Sequence, residues 1–196
     1  MGQQWFHAYS NEELYPDIIP RWHFEAFYWF DAESVFVNWG DEFVDGVDIS
    51  LFEVIPAPVG NSSVSGGVYY TGGKGEPVKN VDVVLEFDAA DDKSYKIVGY
   101  QNTDELGRWK FSQLGKGDFK IKVDIPGLAM DSVYQVYIPN LNSDLTGLNY
   151  YIDPENGIYI TPTGLDELDD LGFGSIGVFP NPNTGQFYLE IIKSED

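Results

Sequence analysis

Two stretches of strict alternation constrain this chain more than anything else in it. Val81, Val83, Leu85 and Phe87 are interleaved with Asp82, Val84 and Glu86, and Phe119, Ile121, Val123 and Ile125 with Lys120, Lys122 and Asp124. Successive side chains of an extended strand point to opposite faces, so each stretch offers one apolar face to a core. Shorter versions occur at Trp109/Phe111, at Tyr134/Val136/Ile138 and at Val47/Ile49/Leu51, the last with Asp48 and Ser50 facing out. Between them lie Thr71-Gly72-Gly73, Asp104-Glu105-Leu106-Gly107, Gly115-Lys116-Gly117 and Pro126-Gly127, all suited to chain reversal. Short strands at intervals of about ten residues, without sustained helical periodicity, predict an all-β sandwich. Its strands are expected near 63–70, 80–87, 95–101, 108–112, 118–125, 133–138 and 147–153.

Composition sets the other bounds. With 196 residues, 43% of them hydrophobic, the chain is long enough for one large or two small domains with real cores. It has no cysteine, so disulfides, thiol nucleophiles and thiolate metal sites are excluded, and stability must come from apolar burial. Aromatic residues, at 16%, suit that task because each ring buries a large area. A formal charge of −21, from 32 acidic and 11 basic residues, repels nucleic acid and anionic membrane surfaces, so neither is an expected partner. Residues 1–20 carry no basic start followed by an apolar run, and no stretch approaches eighteen apolar residues. No signal peptide, membrane span or membrane insertion is expected from them.

The chain divides into an aromatic-rich segment, 1–55, a proline-rich linker, 56–61, a central segment, 62–160, an acidic connector, 161–174, and a terminal segment, 175–196. The first has Trp5–Tyr9 and Val47–Phe52 as expected strands. The connector, with Leu165-Asp166-Glu167-Leu168-Asp169-Asp170-Leu171, has room for one helical turn, and a last strand is expected at Phe187–Ile191.

The central segment runs Val64-Ser65-Gly66-Gly67-Val68, Pro77-Val78-Lys79-Asn80-Val81-Asp82-Val83-Val84-Leu85, Thr103-Asp104-Glu105-Leu106-Gly107-Arg108-Trp109-Lys110-Phe111, then Leu114-Gly115-Lys116-Gly117-Asp118-Phe119. This order resembles the carboxypeptidase regulatory-like family, related in fold to Cna B-type repeats, and implies an Ig-like or prealbumin-like antiparallel β-sandwich. Pro77 opens a strand without needing a ladder donor, Gly107 permits a tight turn, and Trp109, Phe111 and Phe119 are core candidates. Pro20-Arg21-Trp22-His23, Trp29-Phe30-Asp31-Ala32 and Gly46-Val47-Asp48-Ile49-Ser50-Leu51 are similar to a pattern in large secreted proteins of Bacteroidota. That likeness makes 1–55 a partial second β-module whose earlier strands lie upstream. Ser175–Ile191, containing Val178-Phe179-Pro180-Asn181-Pro182 and Gly185, resembles the opening of the type IX secretion sorting domain. Pro180 and Pro182 fix φ around Asn181, and Gly185 turns the chain into the strand that follows. Only about the first third of that domain is present, so truncation at both ends is the expectation. Together these likenesses imply a secreted or cell-surface protein, with the type IX machinery as partner of the full-length sorting domain.

No constellation for catalysis emerges. His7 and His23 are the only histidines, which leaves little material for a histidine-centred triad or a zinc site, and no serine lies in a nucleophile-elbow pattern. Carboxylate pairs are so abundant that none is informative for glycoside hydrolysis. Asp88, Asp91 and Asp92, and the acids of 166–170, lack the spacing of a calcium loop. Val64–Tyr70 has no lysine, so the Lys–Asn isopeptide bond of some Cna B-type repeats, with Asn149 as acceptor, is not expected. The chain therefore reads as a non-enzyme without metal or cofactor. The run Trp22, Phe24, Phe27, Tyr28, Trp29, Phe30 admits two readings: a core, or a platform on which Trp22 and Trp29 stack against extracellular polysaccharide. The leading expectation is an accessory spacer or adhesion-type sandwich, and the alternative a carbohydrate-binding module appended to an extracellular enzyme.

Overall fold

The computed structural model describes residues 2–11, 13–15, 17–40, 43–71, 75–89, 94–130, 132–140, 142–160, 173–179 and 188–193. They belong to two compact units, Met1–Ile160 and Thr161–Asp196. The first contains the short strands β1 (Gly2–Gln4), β2 (His7–Ala8), β3 (Ile18–Ile19), β4 (Arg21–Trp22), β5 (Val35–Val37) and β6 (Phe52–Glu53). It continues with the longer β7 (Val59–Tyr70), β8 (Asp82–Ala89), β9 (Ser94–Asn102), β10 (Arg108–Leu114), β11 (Gly117–Asp124) and β12 (Tyr134–Ile138), then β13 (Asp144–Leu145), β14 (Tyr150–Asp153) and β15 (Gly157–Ile160).

The longer strands form two sheets. One has the order β10-β7-β14-β15, with β13 also pairing β7; the other has the order β12-β11-β8-β9. Their inner faces share one core: Val64, Val68, Trp109, Tyr150, Ile152 and Ile158 from the first meet Val83, Leu85, Phe119, Ile121, Val123 and Ile138 from the second. Each of these is at most 3% exposed. The alternation in β8 and β11 is the cause, since Val123 pairs with Val83 and Ile121 with Leu85, placing all four on one face. The chain is thus an all-β sandwich, and each strand expected between 63 and 153 has its counterpart in β7 to β12 or β14.

Two local devices hold the sheets in shape. Asp104 Oδ1 accepts the backbone N–H groups of Leu106 and Arg108, both at 2.8 Å, while Gly107 takes φ +69°. Only a residue without a Cβ adopts that turn readily. Gly66 lies where a Cβ would stand 1.9 Å from the Leu148 carbonyl oxygen and 2.8 Å from the Trp109 ring, so Trp109 seats in the core through the missing side chain.

The aromatic-rich segment follows a less regular course. Of the strand expected over Trp5–Tyr9 only His7–Ala8 pairs, with Arg21–Trp22. Over Val47–Phe52 the expected alternation holds as burial only as far as Ser50, with Val47 and Ile49 half-buried against exposed Asp48 and Ser50; Leu51 is exposed and Phe52 half-buried, and the strand there among the described residues is Phe52–Glu53. Among the described residues no strand pairs with 47–51; instead Arg21 Nη1 donates to the Ser50 carbonyl at 3.2 Å. The turn joining Trp22 to Ala26 holds two non-glycine residues at positive φ, Phe24 (68°) and Glu25 (59°). Such a conformation costs an L-residue about 1 kcal/mol. Glu25 is exposed and contributes its carbonyl, not its carboxylate, to Arg21. Glu25→Gly is therefore expected to raise stability by about 1 kcal/mol, read from the urea midpoint; an unchanged or lower midpoint would contradict the strain.

In the second unit β16 (Phe173–Phe179) and β17 (Tyr188–Lys193) pair antiparallel, from Phe179 opposite Tyr188 to Phe173 opposite Lys193. The strand expected at Phe187–Ile191 corresponds to β17. Pro180, Asn181, Pro182 and Gly185, the residues expected to form a sorting signal, lie outside the described residues, as do 161–172 of the acidic connector.

Candidate functional site

The outer face of the β12-β11-β8-β9 sheet is the place where sequence pattern and structure part company. Outward positions of β8 and β11 read Asp82, Val84, Glu86 and Lys120, Lys122, Asp124, which by polarity belong in water. Yet Glu86 and Asp124 are only 7% and 5% exposed. The aromatic-rich segment lies over them. Ile19 and Tyr28 pack against Val84 and Ile97, with Phe27, Phe52, Val54 and Tyr100 closing the margin of a second apolar cluster.

Two carboxylates fasten this layer. Asp124 accepts the indole N–H of Trp22 at 2.9 Å (Oδ2) and the backbone N–H of Trp29 at 2.9 Å (Oδ1). Glu86 Oε1 accepts the Tyr28 hydroxyl at 2.6 Å and pairs with Lys122 Nζ at 2.9 Å, while the Lys122 ammonium stands 4.5 Å from the centre of the Tyr28 ring. A buried carboxylate is tolerated only where donors replace its water, and here all of them but Lys122 come from the aromatic-rich segment. Tyr28's hydroxyl is held far above its usual range, chiefly by burial and then by the charge of Glu86, so it stays a donor.

Trp22, a candidate sugar platform by sequence, is 6% exposed. Its ring is stacked on His7 at 4.0 Å and 4° between planes, and its N–H is used by Asp124. Trp29 is half-buried and lies 5.7 Å from the Trp5 ring, in a tilted contact. The two rings therefore stand at the junction between segment and sandwich. Trp22 offers no open face.

Asp124 and His7, both in this layer, have opposed responses to acid. Burial raises the Asp124 carboxyl from 3.8 to about 6, against the pull of the Trp29 and Trp22 N–H donors and with help from Asp82 and Asp31. Burial lowers His7 from 6.5 to about 4. Asp124 thus takes up a proton on folding, and its contribution is complete below pH 3.8 and lost as the pH rises through 6. His7 releases one, and its contribution is complete above pH 6.5 and lost as the pH falls through 4. Across the shared window the slopes offset each other. Between pH 6 and 4.5 the denaturant midpoint of Asp124→Asn is expected to fall more steeply with acid than that of the wild-type chain, and that of His7→Phe to fall less or to rise. Parallel profiles for all three chains would refute the assignment.

For catalysis the geometry offers little. Among the described residues, His7 Nδ1 and His23 Nδ1 are buried without hydrogen-bond partners. Among the described residues no group of three or more histidine, aspartate or glutamate side chains is placed to hold a metal ion. Asn149, the isopeptide acceptor considered from sequence, gives its carbonyl to the Tyr134 hydroxyl at 2.9 Å. Asp124 and Glu86 were missed as functional residues because alternation assigned them to solvent. The signal that marks them is Val84 between Asp82 and Glu86, an apolar residue on a face that should be polar.

No family model matches the sequence, and no curated protein sequence matches it. Among solved structures the chain is similar to the full-length major pilin SpaD of Corynebacterium diphtheriae, with a TM-score of 0.35 and 17% identity, covering 52% of this chain and 30% of the pilin. It is similar to the shaft pilin SpaA of Lactobacillus rhamnosus GG, with a TM-score of 0.34 and 11% identity, covering 53% of this chain and 51% of that one. A third similarity is to the dioxygenase domain of a dioxygenase carbohydrate-binding protein fusion from the cellulolytic bacterium Streptomyces sp. SirexAA-E, at a TM-score of 0.29 and 17% identity, covering 54% and 79%. The chain thus spans about half or less of either pilin's length.

Proposed function

We propose that residues 2–160 are a non-catalytic, adhesion-type spacer of a bacterial protein that works outside the cell. The observation that carries this reading is the fastening of the aromatic-rich segment to the sandwich through Asp124 and Glu86. A module whose task is to hold its neighbours at a fixed distance needs its incoming chain rigidly joined, and buried charge-assisted bonds supply direction as well as strength. The order of motifs like the carboxypeptidase regulatory-like family supports the assignment of the central sandwich. The likeness of 175–191 to a type IX sorting domain supports export by that machinery to the surface or medium of a Bacteroidota cell.

Native-state hydrogen exchange on the full chain tests the rigid joint. Amides of residues 19–29 are expected to share the protection of β8 and β11; exchange of 19–29 at the rate of free peptide would remove the basis for a spacer. Antibody labelling of intact cells tests the location, and signal confined to lysed cells would overturn it.

A further inference from the structure

On one side of the sandwich both sheets end in open edges, β9 in one and β10 in the other, and between them runs a groove of about 530 Å³. Two residues lining it carry buried N–H groups with no hydrogen-bond partner, Gln101 at Nε2 and Trp109 at Nε1. Buried donors are nearly always paired, and an unpaired one marks a place that an outside acceptor would satisfy. The same groove is lined by Arg108 and Lys110, both exposed, and neither enters a salt bridge among the described residues. On a chain with 32 acidic and 11 basic residues, two neighbouring cations outside any ion pair among the described residues stand out. Asp104, also in the lining, uses Oδ1 for the turn it caps, which leaves Oδ2 as an acceptor.

We infer that this groove binds an acidic saccharide, a uronate-bearing glycan. Its carboxylate meets Arg108 and Lys110, its hydroxyls donate to Asp104, and the amide of half-buried Gln101 turns outward to give its N–H to a ring or hydroxyl oxygen. A mixture of side-chain donors, two cations and one carboxylate fits a ligand that is rich in oxygen, carries hydroxyl protons and is anionic. A peptide added to the open edge of β9 or β10 would draw on backbone groups instead. At physiological salt the charge of the rest of the chain is screened beyond about 8 Å, so the local cations decide. The site lies apart from Trp22 and Trp29, and it needs only the sandwich, not the spacer role.

The test is calorimetric titration of the full chain, in about 0.15 M salt, with trigalacturonate, with the neutral trisaccharide cellotriose, and with a carboxylate-terminated tripeptide. Saturable binding of trigalacturonate is expected, weakened about tenfold or more when Arg108→Gln and Lys110→Gln are combined, as loss of charge-assisted bonds requires. Both side chains are exposed, so the double variant keeps its fold, which far-UV circular dichroism verifies. Gln101→Leu is expected to weaken binding about fivefold or more with a thermal midpoint no lower than wild type, since it removes an unpaired donor. No binding of trigalacturonate, equal binding of cellotriose, preference for the tripeptide, or indifference to the double substitution would each overturn the inference.

Discussion

Tyr150→Ala is expected to lower the stability of residues 57–160 by about 3–5 kcal/mol, the cost of removing a large side chain from a core that cannot collapse around the void. Tyr150 has no exposed surface, and it joins the two sheets. From β14 its hydroxyl donates to the Ile121 carbonyl of β11, accepts the Tyr134 backbone N–H at 3.3 Å, and its ring meets Tyr134 edge-on at 5.2 Å. Burial holds that hydroxyl above its ordinary pKa, so it remains a donor at any accessible pH. Tyr150→Phe keeps the ring and removes the bond, and about 1–3 kcal/mol is expected for it. Guanidinium melts should show lower midpoints with an unchanged slope in both variants. If phenylalanine costs as much as alanine, the hydroxyl and not the ring's volume holds the sheets together.

Trp22→Ala is expected to act locally and almost as strongly, at about 3 kcal/mol for the loss of a buried tryptophan. The change removes the stack on His7 and one of the donors to Asp124, which then keeps only the Trp29 backbone N–H inside a nearly dry layer. Amides of residues 19–29 should lose protection and Val84 and Ile97 become exposed, while the amides of Val83, Leu85 and Phe119 keep theirs. Hydrogen exchange resolves these classes. Equal loss of protection in both would mean that the aromatic segment is part of one cooperative core instead of a layer fastened onto it.

The contrast between these variants follows what was legible in the sequence. Inner faces were readable because their signal is local: Val83 and Leu85 are apolar at every second position, and period two admits one arrangement against a core. Gly107 and Asp104 were readable for the same reason, since turn chemistry is confined to four residues. The course of 43–51 was not. Val47 and Ile49 alternate correctly, but a ladder needs a partner, and the availability of a partner strand is a property of the fold. Nor were Asp124 and Glu86 readable as buried. A carboxylate in an alternating strand looks the same whether it faces water or the N–H of Trp22, 102 positions away in the chain. Sequence likewise gave the groove's cations and its amide no common address, because β9 and β10 meet there only through the closure of two different sheets.

The pairing of β7 bears on the order of assembly. Its neighbours are β10 on one side and β14 on the other, so Val68 must wait for Tyr150, and Val64 for Leu145, before that sheet is complete. β8 and β9 need no such wait, for a short connection joins them, and β11 closes on β8 once residue 124 is made. A chain emerging from the ribosome would therefore zip one half early and leave β7 with an unsatisfied flank until residue 152 appears. Long-range closure of this kind is slow and leaves a sticky edge open meanwhile.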